Sequence, residues 1–423
     1  MSQRVRKRLL RDIVLTFALA VFVLPQAKQA FSQPAASGPA ALYAANGHDF
    51  IRYEVSAADA SLTKRETVTL PGVAQYAWPS PSLKHLYVAW TVGQGTAGAH
   101  GLTVFDVEPG TGKLSKHGDD VPLKYRPIHV TVDRDGTHAL VVYNNPSAVT
   151  VFNIKPDGGI GSEVDEPPDL ALGIYTHQVK VAPSNKQVII IGRGNYDHEH
   201  DPGSIHVYNY DRGVLSKLQV VAPGGGVNFH PRHLDFAVNE PWLFVSLEAE
   251  HMLQTYRVDK DGKLSDAPLF SKNTLANPSA IKPEDGEQTG TVHVHPNGKV
   301  VYTANRGTGT VAYEGKQVFA GGENNIAVFD IDPKTGEPKL VQNIETHGMI
   351  PRTFALDPSA RILVAANQNS RLVRDGDKVT KVPESLALYK VRPDGRLDFV
   401  RTYPLDDVPG GNLFWMGINQ VPR

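Results

Sequence analysis

The sequence predicts an all-β fold, a seven-bladed β-propeller of four-stranded antiparallel blades, and three observations carry that reading. A phrase made of an alternating apolar strand, a Pro/Asp/Gly turn and Lys-Leu or a close variant recurs seven times. Its copies begin at Phe50, Leu102, Val149, Ile205, Leu253, Ile326 and Leu386. A second phrase, D/A-P-x-G-K-x-L-Y-V-A-N in its fullest form, precedes the copies. The pattern also opens (LYAANG, 42–47) and closes (NLFWMGINQ, 412–420) in mid-unit. The N- and C-terminal strands are therefore expected to share one blade and close the ring, which leaves no exposed edge.

Within the first phrase, as in LTVFDVEPGTGKL (102–114), apolar and polar residues alternate with the period of a half-buried strand. The turn that follows combines Gly, which tolerates positive φ, with Pro and Asp, which favour turn formation. Self-similarity at a period of roughly 50–60 residues marks a radial repeat and not a string of domains. Copies of the second phrase include SPSLKHLYVAW (80–90), HPNGKVVYTANR (295–306) and DPSARILVAANQ (357–368). Each links a short upstream strand to a β-branched and aromatic one, so the two phrases together make a four-stranded blade. Insertions at 196–203, 273–290, 307–324 and 370–384 are rich in Gly, Asp, Glu and Lys and read as loops. Long loops on a rigid scaffold commonly carry function.

The chain has 423 residues, of which 41% are hydrophobic, enough for a substantial core, and a net charge of −1 that gives no support to nucleic-acid binding. Arg4, Arg6, Lys7, Arg8 and Arg11 precede an apolar run at 13–24 that is short for a membrane span. Residues 1–36 thus read as a signal peptide and flexible flank, and 37–423 as a single propeller domain. The protein is expected to be exported, periplasmic or secreted, with no membrane partner after cleavage. The absence of Cys excludes disulfides and a thioether lipid anchor. No Cys-x-x-Cys-His occurs and the four Trp are scattered, so no haem, quinone or other cofactor is expected. A propeller buries its own core, so a monomer is expected.

The candidate chemistry lies on the short upstream strands, which line the central channel of a propeller. Here they are strongly polar: RPIHVTVD (126–133), THQVKVAP (176–183), HPRHLDF (230–236), TVHVHP (291–296) and IPRTFALD (350–357). They bring His129, His177, Arg232, His233, His293 and Arg352 toward one axis, with Glu248, Arg306 and Gln368 at the ends of the next strands. That set implies a small anionic or polar ligand. A run of ligand-type residues, His198–Glu199–His200–Asp201, lacks the helical spacing of a zinc motif and reads as a solvated insertion, so no metal is expected. GGGVNFHP (224–231) is Gly-rich but precedes a strand, not a helix, which argues against a nucleotide loop.

From about Leu42 to Ile418 the chain resembles the seven-bladed lactonase family, which includes propeller-type 6-phosphogluconolactonase and carboxymuconate lactonizing enzyme. The most specific pieces are the His177 strand, PRH at 231–233 with Glu248 downstream, VHVHPNGKVVYTANR (292–306) and PRTFALDPSARILVAANQ (351–368). The resemblance implies His177, Arg232, Glu248 and Arg352 (or Arg306) as catalytic groups. His129, His233, His293, Arg306 and Gln368 are then expected to contact substrate. The C-terminal GGNLFWMG and the insertion at 196–203 depart from the family pattern. Opening a lactone needs an activated water, a stabilised oxyanion and a proton for the leaving alkoxide. Glu248, if burial raises it toward neutrality, or His177 supplies the base, and Arg232 and Arg352 grip the carbonyl oxygen or a carboxylate. On this reading Glu248→Gln removes turnover and spares stability. The leading substrate is a non-phosphorylated sugar lactone. The alternatives are a carboxymuconate-type cyclase and a non-catalytic ligand- or protein-binding propeller.

Overall fold

The computed structural model describes residues 38–94, 97–167, 170–195, 201–405 and 411–423. The segment 1–36, read from sequence as a signal peptide and flank, and most of the His198–Asp201 run lie outside these residues. Seven inner strands form a ring: Val73–Pro79, Pro127–Val132, Thr176–Val181, Pro231–Phe236, Glu287–Val294, Pro351–Leu356 and Leu413–Gln420. Each packs against the next, and the last returns to the first. From each inner strand a four-stranded antiparallel sheet runs outward as a blade; counting the blade of Ala40–Asn46 and Leu413–Gln420 as the first and that of Val73–Pro79 as the second, the second carries an extra short strand, Val121–Pro122. The expected seven-bladed propeller is therefore the observed fold. Closure is also as expected: Leu413–Gln420 pairs with Ala40–Asn46, placing Ala44 opposite Met416.

The core is divided among seven apolar clusters, each drawn from two neighbouring blades. The two sequence phrases meet at these seams. Tyr43, Tyr87 and Tyr302, on second strands, donate their hydroxyls to the carbonyls of Gly112 (2.6 Å), Gly158 (2.9 Å) and Gly395 (2.7 Å). Each of those glycines sits in the turn of the next blade. Gly158 and Gly395 have φ of +94° and +84°, and a Cβ on either would come within 2.4 Å of a side chain across the seam. The turn glycine is thus fixed both by backbone conformation and by close approach to the neighbouring blade.

Two of the insertions, 307–324 and 370–384, depart from the loops read from sequence. Strands Thr310–Tyr313 and Lys316–Phe319 form one hairpin, Arg371–Asp375 and Lys378–Val382 another. The two lie side by side through a parallel bridge, Val318 to Leu372, and make an eighth four-stranded sheet outside the ring. Glu314 and Gly315 turn the first hairpin with φ of +47° and +75°, the geometry that suits strand twist. The stretch 273–290 holds two short 3₁₀ turns, Pro278–Ala280 and Pro283–Asp285, before the inner strand begins. Among the described residues no helix is long and apolar enough to cross a membrane.

Candidate active site

One backbone irregularity builds the site. On all seven inner strands the pairing with the neighbouring strand slips at the same place near the strand's start. The skipped residues are Gln75, Ile128, His177, Arg232, Gly290 with Thr291, Arg352 and Phe414. A bulge leaves its extra residue out of the ladder and re-aims its side chain. Here it collects His177, Arg232 and Arg352 on one level of the channel. Two residues ahead of two of these bulges, Tyr175 and Ile350 hold positive φ, +56° and +57°. Such a conformation costs about 1–3 kcal/mol in a non-glycine residue and needs support from its surroundings. Ile350 receives it from Asn324 Oδ1, which accepts the Ile350 N–H at 2.7 Å, and from the Gln368 N–H, which donates to its carbonyl at 2.9 Å.

The ends of the second strands face this level. Glu248 follows strand Trp242–Leu247 and is 1% exposed. Its Oε1 accepts from Arg232 Nη1 and Arg306 Nη2, both at 2.5 Å, and its Oε2 accepts from Arg193 Nη1 at 3.2 Å. Burial alone would push this carboxyl up, but Arg232, Arg306, Arg193 and Arg352 together hold it down to about 2. The expectation of a Glu248 raised toward neutrality is thus reversed, because three guanidiniums touch it and a fourth adds to their field. Arg193 in turn lies over the Tyr175 ring, 4.0 Å from its centroid. Arg352 donates from Nε to the Phe414 carbonyl at 3.0 Å and covers the Phe414 ring at 3.7 Å. Burial, followed by repulsion from Arg232 and Arg306, lowers its proton affinity well below the ordinary guanidinium value.

His177 is buried beside this cluster, its ring 5.2 Å from that of His233. Burial, then the field of Arg232 and its neighbours, holds its pKa well below the usual imidazole value, so the ring is neutral at pH 7. Its Nδ1 has no hydrogen-bond partner among the described residues. His233 is neutral for the same two reasons, burial first and Arg232 second. His129 is fully buried with neither ring nitrogen partnered among the described residues, and it rests on Tyr76 at 3.8 Å between centroids. His293 lies further along its strand, 3.6 Å from Asp235 and edge-on to Phe354, at a separate polar cluster where Lys180 also bonds Asp235. Gln368 donates its amide to Asn412 Oδ1 at 3.0 Å.

Over residues 40–375 the chain matches the family described as lactonase, 7-bladed β-propeller. It belongs to that family. Among its relatives are 6-phosphogluconolactonase of Bacillus subtilis, 27% identical over 64% of this chain and 72% of the relative, and that of Formosa agariphila, 27% identical over 73% and 84%. Two solved structures share the fold: a protein from Lactobacillus plantarum (TM-score 0.69, 20% identity, 90% of this chain and 98% of the other) and the periplasmic gluconolactonase of Pseudomonas aeruginosa (TM-score 0.66, 17% identity, 91% and 100%). Both share the propeller at an identity that speaks for fold alone.

Sequence reasoning missed three parts of this family member's site. Arg193 occupies the repeat position of Glu248, Arg306 and Gln368, at the end of the second strand, so the repeat alignment held the signal. Tyr76 gathers Trp78 and Trp415, at 6.4 and 6.0 Å between ring centroids, into an aromatic group beside His129. Two of the four Trp thus meet around one ring although they are far apart along the chain. Phe414, the platform of Arg352, belongs to the divergent C-terminal segment.

Proposed function

We propose that this protein hydrolyses a sugar-type lactone at the arginine-rich level of its channel. The observation that carries the reading is a buried carboxylate bonded by three arginines, with a fourth adding to their field, beside a neutral imidazole whose Nδ1 has no partner among the described residues. Neutral His177 has a lone pair with which to accept a proton from the attacking water. Protonated among guanidiniums, it becomes a strong acid, which favours passing that proton to the departing ring oxygen. Arg352 and its neighbours supply the fixed positive charge that stabilises the tetrahedral oxyanion. Glu248 is better suited to holding Arg193, Arg232 and Arg306 in place than to acting as base, since a carboxylate held so low and bonded at both oxygens is a poor proton acceptor. His233 and His129 are assigned to substrate contact, and the 6-phosphogluconolactonase relatives support the lactone class.

The basic residues and apolar run before residue 25 support export, and the self-contained ring supports a monomer. Export separates the enzyme from cytoplasmic phosphosugars, so an aldonolactone without phosphate is the preferred substrate. The test is a proton-release assay on gluconolactone, galactonolactone, 6-phosphogluconolactone and a simple acyl lactone, each corrected for spontaneous opening. Acceleration of a sugar lactone that disappears in His177→Asn supports the proposal; rates equal to buffer on all four overturn it.

The excess of four guanidiniums over one carboxylate also favours a second reading, cyclisation of an unsaturated dicarboxylate. Loss of diene absorbance on adding protein to such a substrate, with no lactone hydrolysis, would establish it instead.

A further inference from the structure

Three ligand-type side chains from three adjacent strands meet on the second blade, outside the channel cluster. His85 opens strand His85–Gln94, Asp106 stands directly opposite it on strand Ala97–Val107, and His117 follows the outer strand Leu114–Lys116. His117 Nδ1 lies 3.0 Å and His85 Nδ1 3.1 Å from Asp106 Oδ1, and one ligand atom from each residue falls within 4.8 Å of the others. The His85 Nδ1 is buried and meets Asp106 out of hydrogen-bonding geometry. Ligand atoms on one tetrahedral zinc stand about 3.3 Å apart, so the three are spaced to share an ion.

The next blade closes the arrangement. Its turn seats Gly158 against His85 Nε2, where a Cβ would come within 2.1 Å, leaving Nδ1 as the nitrogen that faces Asp106. Asp157, in the same turn, places Oδ1 3.9 Å from His117 Nε2. His117 Nδ1 shares a hydrogen bond with Asp106 Oδ1, whose proton an ion would replace, and Asp157 stands on the far side of the ring, where an outer carboxylate behind a metal-bound imidazole is found. The side chains of His85 and His117 are 15% and 23% exposed and that of Asp106 is 47% exposed, so water reaches the cluster.

We infer that His85, Asp106 and His117 form a binding site for a divalent transition-metal ion of the zinc class, completed by water and steadied by Asp157. Two imidazoles and one carboxylate suit a borderline-soft dication. The ion ties three strands of the second blade together at the seam with the third, so it acts on stability and not on the channel.

The test uses the chelator-stripped chain titrated with ZnCl2 by calorimetry, followed by thermal unfolding with and without zinc. One saturable site is expected, with a melting temperature that rises with zinc as mass action requires. In Asp106→Asn/His117→Gln that affinity should fall at least about 100-fold and the zinc-dependent rise should vanish, while Asp157→Asn should weaken binding about tenfold. His117→Gln alone, on the outer strand, repeats the comparison with least disturbance of the fold. Absence of saturable zinc binding in the unaltered chain overturns the inference, as does zinc bound equally tightly by the double variant.

Discussion

Arg232 donates to Glu248 through Nη1 at 2.5 Å while both residues are almost wholly withdrawn from water, at 3% and 1% exposure. The sequence reading gives Glu248 to catalysis alone; the contacts make it the anchor of the site. Glu248→Gln leaves Arg193, Arg232 and Arg306 facing one another without their counter-charge. Removing one partner of a buried ion pair costs about 3–5 kcal/mol. Denaturant unfolding of Glu248→Gln should therefore show a loss of that size together with the loss of turnover. Unchanged stability would place the arginines on some other support.

The same carboxylate sets an acid limit. Its pKa of about 2 in the folded state lies below its ordinary 4.5, so the stabilisation is complete above the unfolded value and is lost as pH falls from about 4.5 toward 2. The difference corresponds to about 3 kcal/mol, to be read as the part of acid destabilisation that disappears in Glu248→Gln.

His177 should leave its mark on rate and not on stability. His177→Asn should lower turnover by about 100-fold or more, the usual worth of a positioned proton acceptor. Because burial and the arginines keep the ring neutral, the unaltered protein's rate should stay level from pH 8 down to about 6.5, the ordinary imidazole value, and drop only in more acid solution. A rate that falls with a midpoint near 6.5 would assign the base to a solvated histidine.

Glu287 carries the opposite sign. Burial, then repulsion from Glu323 and Asp285, pushes its carboxyl up to about 8, and its Oε1 has no hydrogen-bond partner among the described residues. A raised carboxyl stabilises while protonated, so its contribution is present below about 4.5 and is lost as pH rises toward 8. Glu287→Gln should thus raise the melting temperature at pH 8.5 and change it little at pH 5. An equal effect at both values would show that the carboxyl does not titrate there.

Val328, with no exposed surface, packs between the sixth and seventh blades against Tyr302 and Leu363. Val328→Asp sets an unpaired charge in that seam and should cost more than about 4 kcal/mol, read as aggregation or loss of soluble protein. A stable, soluble variant would contradict the seam.

Much of the ring was legible because repetition writes each blade several times, and the turn glycines that mark the repeat also fill its seams. The two extra hairpins carried their own signal, Glu314-Gly315 and Gly376-Asp377 between alternating residues, yet their charge and glycine content read as loop. The inner-strand histidines and arginines were also legible, since polar residues on such strands need a reason to be there. What the sequence could not convey was proximity across blades. Arg193, Arg232 and Arg306 come from different units, so the depressed pKa of Glu248 exists only once the ring has formed. The bulges were equally hidden, being a slip between paired strands that no single strand records.

Pairing of Leu413–Gln420 with Ala40–Asn46 has a consequence in time. Strand Ala40–Asn46 must wait for Leu413–Gln420, more than 350 residues later, before its second edge is covered. Until Leu413–Gln420 has been made, the nascent protein presents an open β-edge, the feature through which chains misjoin with one another. Completion of the circle is therefore the late, long-range step of folding, slow in the manner of distant strand pairings. A carrier that holds the polypeptide extended until Leu413–Gln420 emerges would protect that edge.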